Sequence, residues 1–271
     1  MNSESRKSRA FIQIVWNYYR RHGRHHLPWR KTQNPYRILV SEMMLQQTQV
    51  DRVIPFYGAF LKQFPTPGLL AKASLARVLV AWQGLGYNRR AKMLHQAAKD
   101  IVKNGMPKTA AGLHQLPGVG PYTAAAVAAF AYNQDVVFVE TNIRTAIIQQ
   151  FFKRKTNISD TEILLILEKL LPKGRGREWN LALMDYGAHL KKSGVKLNPA
   201  SKHYSKQSPF TGSQREARGA ILHALASGPH TKAKLEKLLG AERLEQMRKA
   251  RKTLMQEGLV HKHGGRFILP R

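Results

Sequence analysis

The amino-acid sequence predicts an all-α protein whose C-terminal part adds two short strands to three helices. Apolar side chains recur at helical spacing in several segments, and Gly and Pro residues separate those segments. The alternation of apolar and polar residues that is typical of strands is scarce. The segments are residues 11–21, 40–64, 75–82 and 90–103, and the prolines near helix starts or in connections are Pro28, Pro35, Pro65, Pro107 and Pro172. We therefore predict one helical domain over residues 1–190.

The composition changes after residue 190. Residues 191–209 lose periodicity and are rich in Lys, Ser, Asn and Pro, which is typical of an extended basic linker. Helical patterns then precede two strand-like runs around a Gly264-Gly265 turn, in the order of a winged helix-turn-helix; the predicted helices are 214–226, 231–239 and 242–257. We predict a winged-helix-like domain over residues 210–271. From Lys192 onward, 17 Lys and Arg against 5 Glu favour contact with DNA, and docking of a protein is the alternative.

The net charge indicates the kind of partner. With 45 Lys and Arg against 16 Asp and Glu, the formal charge is +29, which favours a polyanion and above all nucleic acid. A membrane surface is the competing interpretation, but no run approaches the roughly 18 apolar residues of a spanning helix, and the N-terminus has no signal-peptide pattern. We expect a monomer in the cytoplasm, associated with the nucleoid.

The sequence contains no cysteine. This excludes disulfides, thiolate zinc sites, cysteine nucleophiles and thiolate-held iron–sulfur clusters. We therefore predict that the side chains of this protein hold no metal cofactor.

The most specific local motif is Leu116-Pro-Gly-Val-Gly120, between two stretches with a helical pattern. Gly118 and Gly120 allow a tight turn and a close approach to a phosphate, and the helix that starts at Pro121 directs free amides toward the anion. Such a hairpin holds DNA without reading its sequence, and an ordinary turn between helices is the alternative. We predict that the hairpin binds DNA through Leu116, Gly118, Val119 and Gly120. The one metal ion that the prediction allows is a monovalent cation at this hairpin.

Six sequence blocks point to a known family. They are LPWR (27–30), NPYRILVSEMMLQQTQVDRVIPFY (34–57), WQGLGYNRRAKML (82–94), LPGVGPYTAAAVAAFAY (116–132), VETNIRTAI (139–147) and WNLALMDYGA (179–188). Their order and spacing resemble those of the MutY-type adenine DNA glycosylases over residues 10–190. The resemblance implies a two-lobed helix-hairpin-helix glycosylase fold. It also implies hydrolytic removal, in base-excision repair, of adenine mispaired with 8-oxoguanine or guanine in double-stranded DNA.

Two carboxylates are candidates for the chemistry. Adenine leaves more easily once a ring nitrogen is protonated, and a nearby carboxylate stabilises the positive charge that develops on the sugar. Glu42 matches the family's catalytic glutamate, and its apolar neighbours should raise its pKa; the alternative is a glutamate in the first turn of a helix. Glu140 replaces the family's aspartate and Thr141 its glycine. We predict Glu140 as the cation-stabilising group, with a structural hydrogen-bonding role as the alternative; Asp135 lies too early in the chain.

The resemblance assigns five further residues. Tyr122 stands where glycosylase/lyases carry a Schiff-base lysine, which a phenol cannot replace, so hydrolysis without strand cleavage is implied. It resembles the tyrosine of MutY-type members whose hydroxyl hydrogen-bonds near the catalytic glutamate, and a buried aromatic is the alternative. Arg30 and Asn142 match residues that line the adenine pocket and orient the catalytic carboxylate. Gln47 and Tyr87 match side chains that insert at the lesion and contact the opposite purine when the target base leaves the stack. Tyr87 alone would be interpreted as a core aromatic.

The sequence departs from the family in two places. The family's four cysteine ligands of a 4Fe–4S cluster fall here on Lys191, Asn198, Ser201 and Gln207, so the cluster is expected to be absent. Residues 210–271 are too short and too helical for the Nudix-like domain with which relatives sense 8-oxoguanine. The alternative functions are a thymine or uracil mismatch glycosylase, against which Gln46-Gln47-Thr48-Gln49 argues, and a catalytically weakened DNA-structure-binding protein.

Overall fold

The computed structural model describes residues 3–153, 155–205 and 207–271, and these residues are mostly helical. The helices are α1 (Ser3–His22), α2 (Pro35–Leu45), α3 (Val50–Gln63), α4 (Pro67–Lys72), α5 (Leu75–Ala81), α6 (Arg89–Asn104), α7 (Ala110–His114), α8 (Pro121–Tyr132), α9 (Thr141–Phe151), α10 (Asp160–Leu170), α11 (Gly176–Lys192), α12 (Gln214–Ala226), α13 (Lys232–Glu236) and α14 (Leu244–Gln256). Strands β1 (His261–His263) and β2 (Arg266–Ile268) follow. Within the described residues, no helix combines the length and the apolar character that a bilayer crossing requires.

The chain forms two compact units. The first unit takes its described residues from 1–39, 107–115 and 119–206, and the second from 40–106, 116–118 and 207–271. The boundary falls inside α2, between Leu39 and Val40. Since residues 207–271 group with 40–106, the units do not follow the predicted segments, and the domain status of residues 1–190 and 210–271 stays a prediction.

The first unit is built around α11, which packs against α1, α8 and α9. Trp179 on this helix and Phe11 on α1 are almost completely buried. Local signals set the helix bounds: Pro121 occupies the first turn of α8, and Ser159 and Glu162 form a reciprocal capping box at the start of α10. The core of the first unit is therefore formed by α11 and the helices packed around it.

The second unit packs α4 and α5 against α6, and α12 against α14 and α5. Trp82, Phe60 and Phe64 are buried in it. The predicted segment 40–64 is divided between two helices here, because the backbone turns at residues 46–49 and Gln47 has a φ of 54°.

The C-terminal segment shows the predicted order of three helices and a hairpin. Strands β1 and β2 pair antiparallel, with Lys262 opposite Phe267. Gly264 and Gly265 turn the chain with φ values of 51° and 78°, the left-handed conformations that a two-residue hairpin turn requires. The backbone N–H of Ala76 donates to the carbonyl of Pro270 at 2.9 Å, which ties the chain end to the start of α5.

Candidate active site

Glu42 is a buried carboxylate on α2. Its exposed fraction is 3%, and its neighbours Ser41 and Met43 are buried as well. The expectation that Glu42 lies at a helix start is wrong, because α2 begins at Pro35 and Glu42 lies close to its C-terminal end. A carboxylate gains nothing from the helix macrodipole there, so the alternative first-turn role does not apply.

Glu140 caps the N-terminus of α9. Its Oε1 accepts hydrogen bonds from the backbone N–H groups of Asn142 (2.8 Å) and Ile143 (2.7 Å). The Asn142 side chain donates from Nδ2 to Oε2 at 3.2 Å, so the structure brings these two predicted residues together. Burial raises the pKa of Glu140, and it outweighs the two amides and, after them, the charges of Lys191 and Arg24, which favour the ionised form. Asp135, the alternative carboxylate, instead accepts from the backbone N–H groups of Gly174 and Gly176, which is a structural role.

The start of α9 is fixed by close contact with α11. A Cβ atom at Gly187 would lie 1.9 Å from the carbonyl oxygen of Asn142. A glycine is therefore required at this position of the WNLALMDYGA block. The close approach holds the backbone that carries the Glu140–Asn142 pair.

Arg30 forms a buried ion pair with Asp185, which lies on α11. The guanidinium is bidentate, with Nη1–Oδ2 and Nη2–Oδ1 distances of 2.6 and 2.7 Å, and Arg24 Nε adds a contact to Oδ1 at 2.5 Å. Burial alone would raise the pKa of Asp185, but the hydrogen bonds and charges of the two arginines outweigh it and the pKa is lowered. The carboxylate is therefore ionised at neutral pH. The role of Arg30 at an adenine pocket stays a prediction.

Tyr122 lies in the first turn of α8 and is half-buried. Its ring meets Phe138 edge to face, with centroids 5.3 Å apart. This packing orients the aromatic ring, while the part of the hydroxyl in the reaction stays a prediction.

The hairpin Leu116–Gly120 presents backbone rather than side chains. Leu116 and Val119 are buried, with exposed fractions of 7% and 4%. Gly118 has a φ of 75°, and a Cβ atom there would lie 2.4 Å from the Cβ of Met93. Gly120 is the N-cap of α8, which has no side-chain cap among the described residues. A contact of this motif with phosphate would therefore use main-chain groups.

Gln47 and Tyr87 both have left-handed backbone conformations, with φ values of 54° and 47°. The two residues line the same cavity of about 400 Å³ in the second unit, together with Gly118. Gln47 is exposed and Tyr87 is half-buried, so the core interpretation of Tyr87 does not apply.

Arg90 connects the segments that carry Gln47 and Tyr87. It is buried, and its donors reach the carbonyl oxygens of Met43, Met44, Gln46, Leu85 and Gly86 and the hydroxyl of Thr48, all at 2.6–3.2 Å. Burial lowers the pKa of Arg90 to about 10, so the group remains charged at neutral pH. Arg90 was not among the residues predicted from the sequence, although its place three residues after Tyr87 in a conspicuous block was a usable signal.

The positions of the family's cysteine ligands carry no thiol, so the residues present do not fit an iron–sulfur cluster. The chain nearby is held by hydrogen bonds instead. Asn198 Oδ1 accepts from the hydroxyl of Thr145 at 3.2 Å. Ile158 donates its backbone N–H to the Ala200 carbonyl at 3.0 Å and accepts from Lys202 N–H at 2.9 Å. Among the residues that the structure describes, no cluster of three or more His, Cys, Asp and Glu is placed to hold a metal ion.

Comparison with known proteins identifies the class to which this fold belongs. Residues 40–173 match the model of the HhH-GPD superfamily of base excision DNA repair proteins. The solved structure of a thermostable thymine-DNA glycosylase superposes with a TM-score of 0.63 at 24% identity, over 73% of this chain and 97% of that chain. The helix-hairpin-helix glycosylase fold that the sequence predicted is thereby confirmed.

Curated relatives identify the family. An adenine DNA glycosylase of Mycolicibacterium smegmatis is 35% identical over 274 residues, which cover 92% of each chain. An adenine DNA glycosylase of Buchnera aphidicola is 38% identical over 184 residues, where the match spans 66% of this chain and about half, 52%, of that protein. The chain belongs to the adenine DNA glycosylase family.

Proposed function

We propose that this chain is a monofunctional DNA glycosylase that hydrolyses the N-glycosidic bond of adenine mispaired with guanine or 8-oxoguanine in double-stranded DNA. It acts in base-excision repair as a monomer, on nucleoid DNA in the cytoplasm. The names of its relatives, the net charge of +29 and the backbone-presenting hairpin support DNA as the substrate.

The burial of Glu42 is the observation that carries the proposal. The Glu42 side chain is 3% exposed, and withdrawal from water is one of the effects that favour the protonated form of a carboxyl group. A protonated carboxyl group can act as the general acid for the departing base. Glu42 gives its proton to a ring nitrogen of adenine. The electron pair of the N-glycosidic bond then leaves with the base.

Glu140 stabilises the positive charge that the departing base leaves on the sugar. The amides of Asn142 and Ile143 fix the direction of its carboxylate, and the Asn142 side chain holds the second oxygen. Water adds to the cationic sugar carbon and loses a proton, which gives an abasic site and free adenine.

The test is a glycosylase assay on duplexes that contain A·8-oxoG, A·G, T·G or U·G, followed by alkali to reveal abasic sites. We expect excision of adenine from the first two duplexes and none from the others. Excision of thymine or uracil would support the mismatch-glycosylase alternative. Binding without excision of any base would identify a DNA-structure-binding protein.

We expect no strand cleavage in that assay until alkali or a separate lyase is added. Position 122 holds a phenol, which cannot form the Schiff base through which a lysine cleaves the strand. Borohydride should trap no covalent adduct on the timescale of base release. An adduct that forms at the rate of base release would contradict the monofunctional assignment.

We also expect the purified protein to contain no iron and to show no visible absorption from a cluster. The proposed absence of a cluster follows from the lack of any thiolate ligand, and the hydrogen bonds of Asn198 and Ile158 take over the local tethering. Chelators should leave the excision rate unchanged. Near-stoichiometric iron in elemental analysis would contradict the proposed absence of an iron–sulfur cluster.

A further inference from the structure

The cavity lined by Gln47 and Tyr87 also receives side chains from the C-terminal segment. Arg215 and Arg218 on α12, and Glu257 just after α14, line it. A second cavity of about 450 Å³ shares Gln47, Tyr87 and Arg215 with the first. The C-terminal segment is therefore part of the surface that carries the two residues expected to meet the base opposite the target.

Arg215 contacts Tyr87 directly. Its Nη1 donates to the Tyr87 hydroxyl at 3.2 Å, and its guanidinium carbon lies 5.5 Å from the centre of the tyrosine ring. Gln207 donates to the same hydroxyl. The Nη2 group of Arg215 donates to the backbone carbonyl of Ser208 at 2.5 Å, which fixes the guanidinium.

The guanidinium of Arg215 keeps donors for a ligand. Of its five N–H bonds, those of Nη2 point to the carbonyls of Ser208 and Pro209, and one of Nη1 points to the Tyr87 hydroxyl. Nε has no hydrogen-bond partner among the described residues. Arg218, in contrast, is bidentate to Glu257 with distances of 2.6 and 3.1 Å, so its charge is matched. Arg215 has no acidic partner among the side chains described, so its charge and its remaining donors are available to an external acceptor. Exposed Arg89 lines the cavity as well, but Arg215 is the arginine that contacts Tyr87 through both its hydroxyl and its ring.

We propose that Arg215 is a specificity-determining residue that recognises the 6-oxo group of the purine opposite the target adenine. A guanidinium is the side chain that most often binds the O6 edge of guanine, and 8-oxoguanine retains O6. The C-terminal segment thereby contributes to reading the opposite base. This inference rests on the proposed function, since it assigns a recognition step to that reaction.

The experiment compares wild type, Arg215→Ala and the control Lys249→Ala, which removes a charge from an exposed position in the same unit. Single-turnover adenine excision is measured opposite guanine, 8-oxoguanine, 2-aminopurine, which lacks O6, and an abasic analogue. We expect Arg215→Ala to slow excision about tenfold or more opposite guanine and 8-oxoguanine, the effect of one lost base contact. Excision opposite 2-aminopurine and the abasic analogue should change less than about twofold, as should all rates of Lys249→Ala. A uniform loss over the four duplexes would mean a phosphate contact and would overturn the proposal, as would the absence of any loss.

A second measurement separates base recognition from support of Tyr87. Arg215→Ala is repeated in a Tyr87→Phe background, which lacks the hydroxyl that Arg215 holds. We expect the loss opposite guanine to persist there. If it vanishes, Arg215 acts only through Tyr87 and the proposal fails.

Binding distinguishes failure of this inference from failure of the proposed function. Fluorescence anisotropy is measured with duplexes in which a tetrahydrofuran abasic analogue replaces the target adenine, opposite each of the four partners. We expect Arg215→Ala to lose the binding preference for guanine over 2-aminopurine. A wild type that excises no adenine but shows this preference would refute the function alone, and an active wild type without the preference would refute the inference alone.

Discussion

Glu42→Gln is expected to abolish adenine release and to leave duplex binding almost unchanged. The amide keeps the shape of the buried side chain but cannot deliver a proton, and general acid catalysis typically contributes ~100-fold or more. Single-turnover kinetics on an A·G duplex measure the rate, and anisotropy measures the binding.

Asp51→Asn is the matched control for the Glu42 variant. Asp51 is an exposed carboxylate on α3 in the same unit, so this change removes a surface charge without touching the buried site. We expect its rate to match that of wild type. A Glu42→Gln rate within about tenfold of wild type would remove Glu42 from the acid role.

Glu140→Gln is expected to lower the rate of the chemical step by roughly 100-fold or more, since it removes the charge that is proposed to face the sugar cation. Glu140→Asp should keep substantial activity, because aspartate retains the charge and is a favoured N-cap residue. Its carboxylate is displaced by about a bond length, so we expect a partial rate and not a gain. Single-turnover excision is measured beside thermal melting for each variant.

The structural role of Glu140 needs its own control, because its side chain caps α9. Ser159→Ala removes the cap of α10 in the same unit and should cost about 1 kcal/mol of stability without changing the excision rate. If Glu140→Gln behaves in the same way, with a lower melting temperature and an unchanged rate, its catalytic assignment is wrong. If wild type itself is inactive on every duplex, the site has decayed.

Local sequence signals predicted the helices well where a proline or a capping residue marks the helix start. The helix predicted to start at Pro121 is α8, and the predicted helix 214–226 coincides with α12, since Pro121 and the Ser213 cap mark their starts. The start of α2 was missed because its apolar pattern becomes dense only at Val40. Asn34 accepts a hydrogen bond from Arg37 N–H at 3.1 Å, so an Asn-Pro start signal was present but carried less weight than periodicity.

Contacts between distant residues could not be predicted from the sequence. Arg30 and Asp185 are 155 residues apart, and Arg215 and Tyr87 are 128 apart. No period or spacing encodes such pairs, because they depend on how whole helices pack. The candidate residues themselves came from motifs, whereas their hydrogen-bond partners required the fold.

The left-handed backbone at Gln47 and Tyr87 sets a limit on how stable this protein can be. Among the described residues, the other side-chain-bearing positions with positive φ are Asn133 and Asn157, and asparagine tolerates this conformation. Glutamine and tyrosine do not tolerate it well, and each such position costs on the order of 1–3 kcal/mol. Glycine would relieve that strain at both positions, but it would delete the side chains that are proposed to meet the DNA. Selection for heat resistance and selection for lesion recognition therefore favour different amino acids at the same two positions.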